Sequence, residues 1–247
     1  MRLGVIGGMG PLATARYMEL VVRMTDAQKD QDHLEMIVMN IPTIPDRTAS
    51  LLGQSQSEPL NVLITIGNQL KKLGAEILSL PCITAQCYRQ TLEQQVGIPV
   101  LDPIQGTVHQ LRSVGIEKVG LLATTGTINR GVVNAQLQSA QIQTLLPAHQ
   151  QQESLMNLIY QQIKAGLPAN VTLLNHLCRE LRAQGAQAIL LGCTELSLIK
   201  EQLEYQGDIL DMLEVLARYS VQACGKPLRN CYQSLLGGRS LAAKKRA

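Results

Sequence analysis

A chain of 247 residues, of which 45% are hydrophobic, is long enough for one large domain or two of about 120 residues each. Phe and Trp are absent, which removes most of the platforms on which a single-stranded nucleic acid would stack, and the net charge of +3 is small. No apolar run reaches the length of a membrane span, and the first ten residues read as a strand and a turn rather than a signal peptide. The composition therefore argues against nucleic-acid and membrane partners and favours a cytoplasmic protein.

The cysteines and histidines show no metal-binding pattern. In a cytoplasmic protein of this size the six cysteines are expected to be free thiols. Because there is no Cys-x-x-Cys pair and the four histidines are scattered, no metal site is predicted. Four basic residues near the C-terminus predict a flexible, solvated basic tail over residues 237–247.

Short apolar runs alternate with stretches of helical period along the chain, which is typical of βα units and a parallel sheet. The first predicted strands are residues 3–6, 36–39, 76–80 and 99–101. A second set is predicted at residues 118–122, 142–145, 188–191 and 209–210. Between the strands, apolar side chains recur on one helical face, as at Leu60, Leu63, Ile64 and Leu70. The predicted fold class is α/β.

The chain also repeats itself. Residues 70–82 align with residues 181–193 at an offset of 111, so that a Gly-Ala pair, an apolar strand and a final cysteine coincide. Residues 3–6 resemble 119–122, and residues 100–102 resemble 209–211, in the same order and at similar offsets. These matches predict two similar α/β domains, residues 1–114 and 115–236, with a possible return of the C-terminal helix to the first.

Cys82 and Cys193 fall at equivalent places in the two copies, just beyond the carboxyl end of a predicted strand. Ligands of open α/β sheets bind there, so two facing copies would bring the thiols to opposite sides of one ligand. Racemisation needs one group that removes a proton and another that returns one on the opposite face. With an ordinary pKa of about 8.5, a thiol can serve in either role. Thr84 and Thr194 lie where the following helices should start, and N–H groups there favour thiolates and carboxylates.

Four motifs resemble those of the aspartate/glutamate racemase family. Residues 7–14 resemble its opening loop, 45–48 its carboxylate-binding arginine segment, 120–127 the loop that opens its second half, and 191–196 its second-cysteine motif. The resemblance spans nearly the whole chain. It implies two Rossmann-like α/β domains with parallel sheets, related by a pseudo-twofold axis, with the site between them and usually in a homodimer.

The resemblance also implies an activity. Cys82 and Cys193 would be the catalytic thiols of a two-base racemisation that needs neither pyridoxal phosphate nor any other cofactor. The substrate would be an acidic amino acid, aspartate foremost and glutamate next. The substrate-binding residues would be Met9, Arg47, Thr84, Thr127, Lys164 and Thr194. The residues alone leave other interpretations open, because Arg47 could form a surface ion pair with Asp46 and Lys164 could be solvated.

One motif departs from the family pattern. The family usually has Pro-Cys-Asn-Thr-Ala-His, but residues 81–86 read Pro-Cys-Ile-Thr-Ala-Gln. The usual asparagine helps to hold the substrate, and Ile83 has no polar group to do so. One alternative is therefore a non-catalytic or altered-specificity member of the same fold. Another is an isomerase or decarboxylase of the wider superfamily that acts on a related small carboxylate.

A nicotinamide-dependent enzyme is a further alternative, because residues 8–13 satisfy Gly-x-Gly-x-x-Ala after a predicted strand. A dinucleotide fold also carries an acidic residue at the end of its second strand, where this chain has Asn40. The equivalent turn of the second copy, residues 123–126, lacks the glycine pattern. The sequence therefore disfavours this alternative.

Overall fold

The computed structural model describes residues 1–236, so the predicted basic tail at residues 237–247 lies outside the described residues. Two separate parallel sheets, one in each half of the chain, are flanked by helices. The predicted α/β class is confirmed.

The first sheet has the strand order β2–β1–β3, with all pairs parallel. Its strands are β1 (Leu3–Gly7), β2 (Met36–Asn40) and β3 (Ile77–Ser79). Its helices are α1 (Pro11–Met24), α2 (Arg47–Leu51), α3 (Pro59–Lys72), α4 (Arg89–Val96) and α5 (Pro103–Ser113). Every residue of the central strand β1 is buried, as expected where helices cover both faces of a parallel sheet.

The prediction of a strand at residues 99–101 is wrong. The structure has an isolated parallel bridge between Leu78 and Val100, with the Leu78 N–H donating to the Pro99 carbonyl at 2.8 Å. Pro99 has no N–H to extend the ladder, and α5 already begins at Pro103. The segment is therefore too short to continue as a strand.

The second sheet has the strand order β5–β4–β6–β7, again all parallel. Its strands are β4 (Lys118–Leu122), β5 (Gln143–Leu145), β6 (Ala188–Leu191) and β7 (Ile209–Asp211). Its helices are α6 (Thr125–Arg130), α7 (Val132–Ser139), α8 (His149–Asn157), α9 (Val171–Ala183) and α10 (Met212–Ala223). A π-helical turn, Leu158–Ile163, directly follows α8.

Helices α5 and α10 join the two halves. Each follows an Ile-Leu-Asp or Val-Leu-Asp segment, and the aspartate caps the helix through backbone N–H groups, Asp102 for α5 and Asp211 for α10. Helix α10 packs against α1 and α5, and α5 packs against α7, so each of these helices reaches the other half. The hydroxyls of Tyr17 on α1 and Ser220 on α10 lie 2.5 Å apart within this interface. This packing of helices from both halves places the carboxyl ends of both sheets around one cleft.

Candidate active site

A small cavity lies in the cleft between the two sheets. The segments that follow β1, β3, β4 and β6 all contribute to its wall, as the rule for open α/β sheets predicts. The lining residues are Met9, Asp46, Arg47, Thr48, Cys82, Ile83, Thr84, Thr124, Tyr160, Lys164, Cys193, Thr194 and Glu195.

Cys82 and Cys193 both line this cavity, at matching places after β3 and β6. Each is a free thiol and each is 5% exposed. The Cys82 N–H donates to the Leu80 carbonyl at 2.7 Å, which turns the chain inward before a 3-10 helix, Thr84–Tyr88. Two thiols that follow strands of different sheets therefore line the same small cavity.

Arg47 lies at the start of α2 with its guanidinium buried beside Cys82, 7% exposed. It donates to the carbonyls of Ile44, Pro45 and Met9 at 3.2, 2.9 and 3.3 Å, while its buried Nε has no hydrogen-bond partner among residues 1–236. Burial alone would lower its pKa, but the neighbouring Cys82 and Asp46 outweigh burial and raise it. Arg47 is thus a fixed cation inside the site, and the alternative of a surface ion pair is excluded by its burial.

Lys164 follows the π-helical turn and reaches into the cavity from the second half. Its Nζ lies 2.5 Å from Oε1 of Glu195. The other carboxylate oxygen of Glu195 accepts from the Cys193 thiol at 3.0 Å and from the Thr194 hydroxyl at 3.3 Å. Burial lowers the pKa of Lys164, but Glu195 and Cys193 outweigh burial and raise it. Lys164 is thus a charged, partnered group rather than the solvated side chain of the alternative interpretation.

The thiol of Cys193 is held protonated more strongly than an ordinary cysteine. Burial is the main cause that raises its pKa, and the Glu195 carboxylate raises it further, while Lys164 acts in the opposite direction. Glu195 is itself only 4% exposed. The sequence reasoning did not single out this carboxylate, although it stands two residues after Cys193 in the second-cysteine motif.

Three threonine hydroxyls form a triangle at the other side of the site. Thr84 lies 3.0 Å from Thr124 and 2.9 Å from Thr127, and Thr124 and Thr127 lie 3.0 Å apart. Thr84 and Thr124 line the cavity, but Thr127 does not. Among the described residues, Thr127 is the one predicted binding residue that is not in the lining. The triangle also joins the two halves, because Thr84 precedes β4 and its partners follow it.

The two departures from the family motif have different structural consequences. Ile83 is 1% exposed, lines the cavity and packs in the hydrophobic core. Gln86 is not among the described lining residues, and it donates to the carbonyls of Leu80 and Cys82 at 3.0 and 3.3 Å. Gln86 therefore supports the Cys82 loop, and Ile83 is the departure that a ligand would meet.

The glycine-rich turn after β1 is built for contacts within the protein. Gly8 has a φ of +96°, and a Cβ there would lie 2.4 Å from the backbone of Ile41. The Gly8 N–H donates to the Thr14 hydroxyl at 2.9 Å. A Cβ on Gly10 would lie 3.1 Å from the Glu195 carboxylate. The turn thus packs against the second half.

The fold and the site define an α/β protein with two parallel sheets and a cleft whose wall includes two free thiols. The model of the Asp/Glu/Hydantoin racemase family matches residues 6–219, and the chain belongs to this family. The prediction of an amino-acid racemase is confirmed at this level. Among residues 1–236, no helix combines the length and apolar character needed to cross a membrane.

Individual relatives agree with this assignment. The chain is 25% identical over 227 residues to the broad specificity amino-acid racemase RacX of Bacillus subtilis, covering 89% of this chain and 96% of the relative. It is similar in structure to Picrophilus torridus aspartate racemase, with a TM-score of 0.80 and 29% identity over 94% of this chain and 98% of that one. An aspartate racemase homologue from Pyrococcus horikoshii shares the fold, with a TM-score of 0.73 and 21% identity over 91% of this chain and 99% of that one.

Proposed function

We propose that this chain racemises an acidic amino acid, aspartate foremost and glutamate next, by a two-base mechanism in which Cys82 and Cys193 are a thiolate/thiol pair. The observation that carries the proposal is the placement of these two buried thiols at equivalent strand ends on the wall of one cavity. One thiolate removes the α-proton, leaving the electron pair on the α-carbon. The opposite thiol then donates its proton to the other face of that carbon.

The charges around the cavity support an anionic substrate. Arg47 supplies a fixed positive charge beside Cys82, and its buried Nε still has a hydrogen to donate. The hydroxyls of Thr84, Thr124 and Thr194 are further polar groups at the wall. Lys164 uses one donor of its ammonium on Glu195, and the ammonium has three donors, so it can also bind a second carboxylate. Met9 contributes its carbonyl, which accepts from Arg47 and helps to fix it.

An altered-specificity or non-catalytic member of the family is the second candidate, and one observation favours it. Ile83 presents an apolar side chain to the cavity where the family motif has asparagine. An acidic substrate thus loses one hydrogen bond, while the cations and threonines remain.

The experiment that separates these candidates is incubation in deuterium oxide with a panel of L- and D-amino acids, followed by NMR detection of α-proton exchange. The proposal expects fastest exchange and inversion with aspartate or glutamate, without added pyridoxal phosphate and after dialysis against a chelator. Fastest turnover of a neutral amino acid would favour altered specificity, and exchange with none would favour a non-catalytic protein.

We also propose that the protein is a cytoplasmic homodimer, as the family resemblance and the free thiols suggest. Sedimentation equilibrium of the purified protein tests the oligomeric state. A mass near 27.0 kDa would contradict the dimer.

A further inference from the structure

The two thiols of the site have surroundings of opposite charge. Cys82 lies beside the guanidinium of Arg47, whereas Sγ of Cys193 lies 3.0 Å from a carboxylate oxygen of Glu195. The other titratable groups that face Cys193 are Lys164, which also lies close to Cys82, and Tyr160. The cation of Lys164 is bonded to the second oxygen of Glu195 rather than to the thiol.

The contact between Cys193 and Glu195 depends on a proton. A carboxylate can only accept hydrogen bonds, so this contact is attractive only while the thiol keeps its hydrogen. A thiolate at the same place would face the carboxylate at 3.0 Å in a buried site, where like charges repel strongly. Glu195 is held in place by Lys164 and Thr194, and it lies against Gly10 of the first half.

We propose that Glu195 is a positioning residue that keeps Cys193 protonated in the resting protein, so that Cys82 is the base and Cys193 the acid when substrate first binds. This inference rests on the proposed two-thiol function. The enantiomer whose α-hydrogen faces Cys82 is then converted directly by the resting form. During that conversion Cys82 gains the α-proton and Cys193 gives up its own, so the negative charge moves from Cys82 to Cys193.

The opposite enantiomer needs the other protonation form, in which Cys193 is a thiolate beside Glu195. Because the equilibrium constant of a racemisation is one, kcat/KM must be equal in the two directions whatever the residues are. The asymmetry therefore shows only in kcat and KM taken separately, which should differ between the enantiomers by the same factor.

The direct test measures the reactivity of each thiol without any substrate. Wild type and Glu195→Gln are treated with iodoacetamide over a pH series, and the rates at Cys82 and Cys193 are read from their separate peptides by mass spectrometry. Equal exposure makes Cys82 an internal reference. The matched control is Glu214→Gln, which also removes a carboxylate from a buried lysine pair, here 2.8 Å from Lys200.

In wild type, Cys82 should react about tenfold or more faster than Cys193 near neutral pH, because the neighbouring Glu195 carboxylate disfavours the reactive thiolate of Cys193. Glu195→Gln should speed alkylation of Cys193 about tenfold and leave Cys82 within about twofold. Glu195→Asp, which retains the charge, should keep Cys193 slow. With active protein, Glu195→Gln should also bring the kcat values of the two enantiomers closer together.

An unchanged alkylation rate of Cys193 in folded Glu195→Gln at every pH would overturn the proposal. So would equal acceleration of both thiols by Glu195→Gln and by Glu214→Gln, since that pattern reports general loosening of the fold. Selective acceleration of Cys193 in a protein that exchanges no α-proton would uphold the positioning role and contradict the proposed function instead.

Discussion

Tyr160 donates its hydroxyl to both carboxylate oxygens of Asp46, at 3.1 and 3.2 Å, although the two residues stand 114 positions apart. Asp46 caps α2 immediately before Arg47, and Tyr160 belongs to the π-helical turn immediately before Lys164. Burial raises the pKa of Tyr160, so the phenol remains a donor throughout the neutral range. The Lys164 ammonium lies 5.5 Å from the centre of the tyrosine ring. The contact therefore joins the two halves beside the cations of the site.

Replacing Tyr160 with Phe should weaken substrate binding while leaving the fold intact. A hydrogen bond to a charged group contributes about 1.5 kcal/mol, so kcat/KM should fall roughly tenfold, mainly through KM. Steady-state kinetics in both directions measure the effect. Tyr205→Phe is the control, because Tyr205 is 58% exposed and lies outside the cavity lining. Equal kinetics for wild type and Tyr160→Phe would show that the contact does not organise the site.

Replacing either Cys82 or Cys193 with Ala should abolish racemisation in both directions, because each thiol is the base in one direction and the acid in the other. The remaining thiol can still exchange the α-hydrogen of one enantiomer with deuterium from solvent. Chiral chromatography and NMR measure the two processes. Cys87→Ala is the matched control, because its thiol donates to the Thr84 carbonyl and does not line the cavity. Near wild-type inversion by Cys193→Ala would contradict the two-base mechanism.

Ile83→Asn should raise kcat/KM for aspartate and lower stability. Each 1.4 kcal/mol that the recovered hydrogen bond to the substrate contributes should raise kcat/KM up to roughly tenfold. Because Ile83 is buried in the core, the polar replacement should cost about 1–3 kcal/mol of unfolding free energy. Kinetics and urea unfolding of the same preparation separate the two effects. A fall in kcat/KM for acidic substrates, with a rise for a neutral one, would assign Ile83 to an apolar side-chain pocket.

Arg47→Ala should reduce kcat/KM for acidic substrates by more than Ile83→Asn raises it, about a hundredfold or more. The substitution removes a buried cation from a desolvated carboxylate and frees the carbonyls of Ile44, Pro45 and Met9. Arg47→Lys retains the charge without the planar guanidinium, so its kcat/KM should lie between those of wild type and Arg47→Ala. Unchanged kinetics in Arg47→Ala would remove the main support for an acidic substrate.

The stability of the protein should depend on pH through Asp211, at the start of α10. Burial, and after it the Glu214 carboxylate, raise the pKa of Asp211 to about 6 from an ordinary value of 3.8. The folded protein thus holds this proton more tightly than the unfolded chain. Protonated Asp211 therefore stabilises the folded protein fully below the pKa that this group has in the unfolded chain. This contribution is lost as the pH rises through about 4 to 6.

Asp211→Asn removes this titration but keeps an oxygen that can accept from the Leu213 N–H and the Ser197 hydroxyl. The Tm of the variant minus that of wild type should therefore become more positive between pH 4 and pH 6.5. Calorimetry at several pH values measures this difference, in which the titration of other groups cancels. A difference that is constant over the window would contradict the raised pKa.

The sequence by itself determined the α/β class, the duplication and the places of the two thiols. Alternating strand and helix patterns are local, and the carboxyl ends of parallel strands always meet at one edge of a sheet. Cys82 and Cys193 could therefore be assigned to such edges before any contact was known. The strand predicted at residues 99–101 was wrong for a local reason too, because the prolines at 99 and 103 leave no room for a longer ladder.

Only the tertiary structure decided what surrounds each thiol. Asp46 pairs with Tyr160, which lies 114 positions away, and Glu195 pairs with Lys164, which lies 31 positions away. Both pairs form because the π-helical turn contacts both halves. Within the first half, Arg47 donates to backbone carbonyls and Gln86 donates to the Cys82 loop. Side-chain pairing across a cleft depends on the relative position of two sheets, and that position is set by the packing of α1, α5, α7 and α10 rather than by any local pattern.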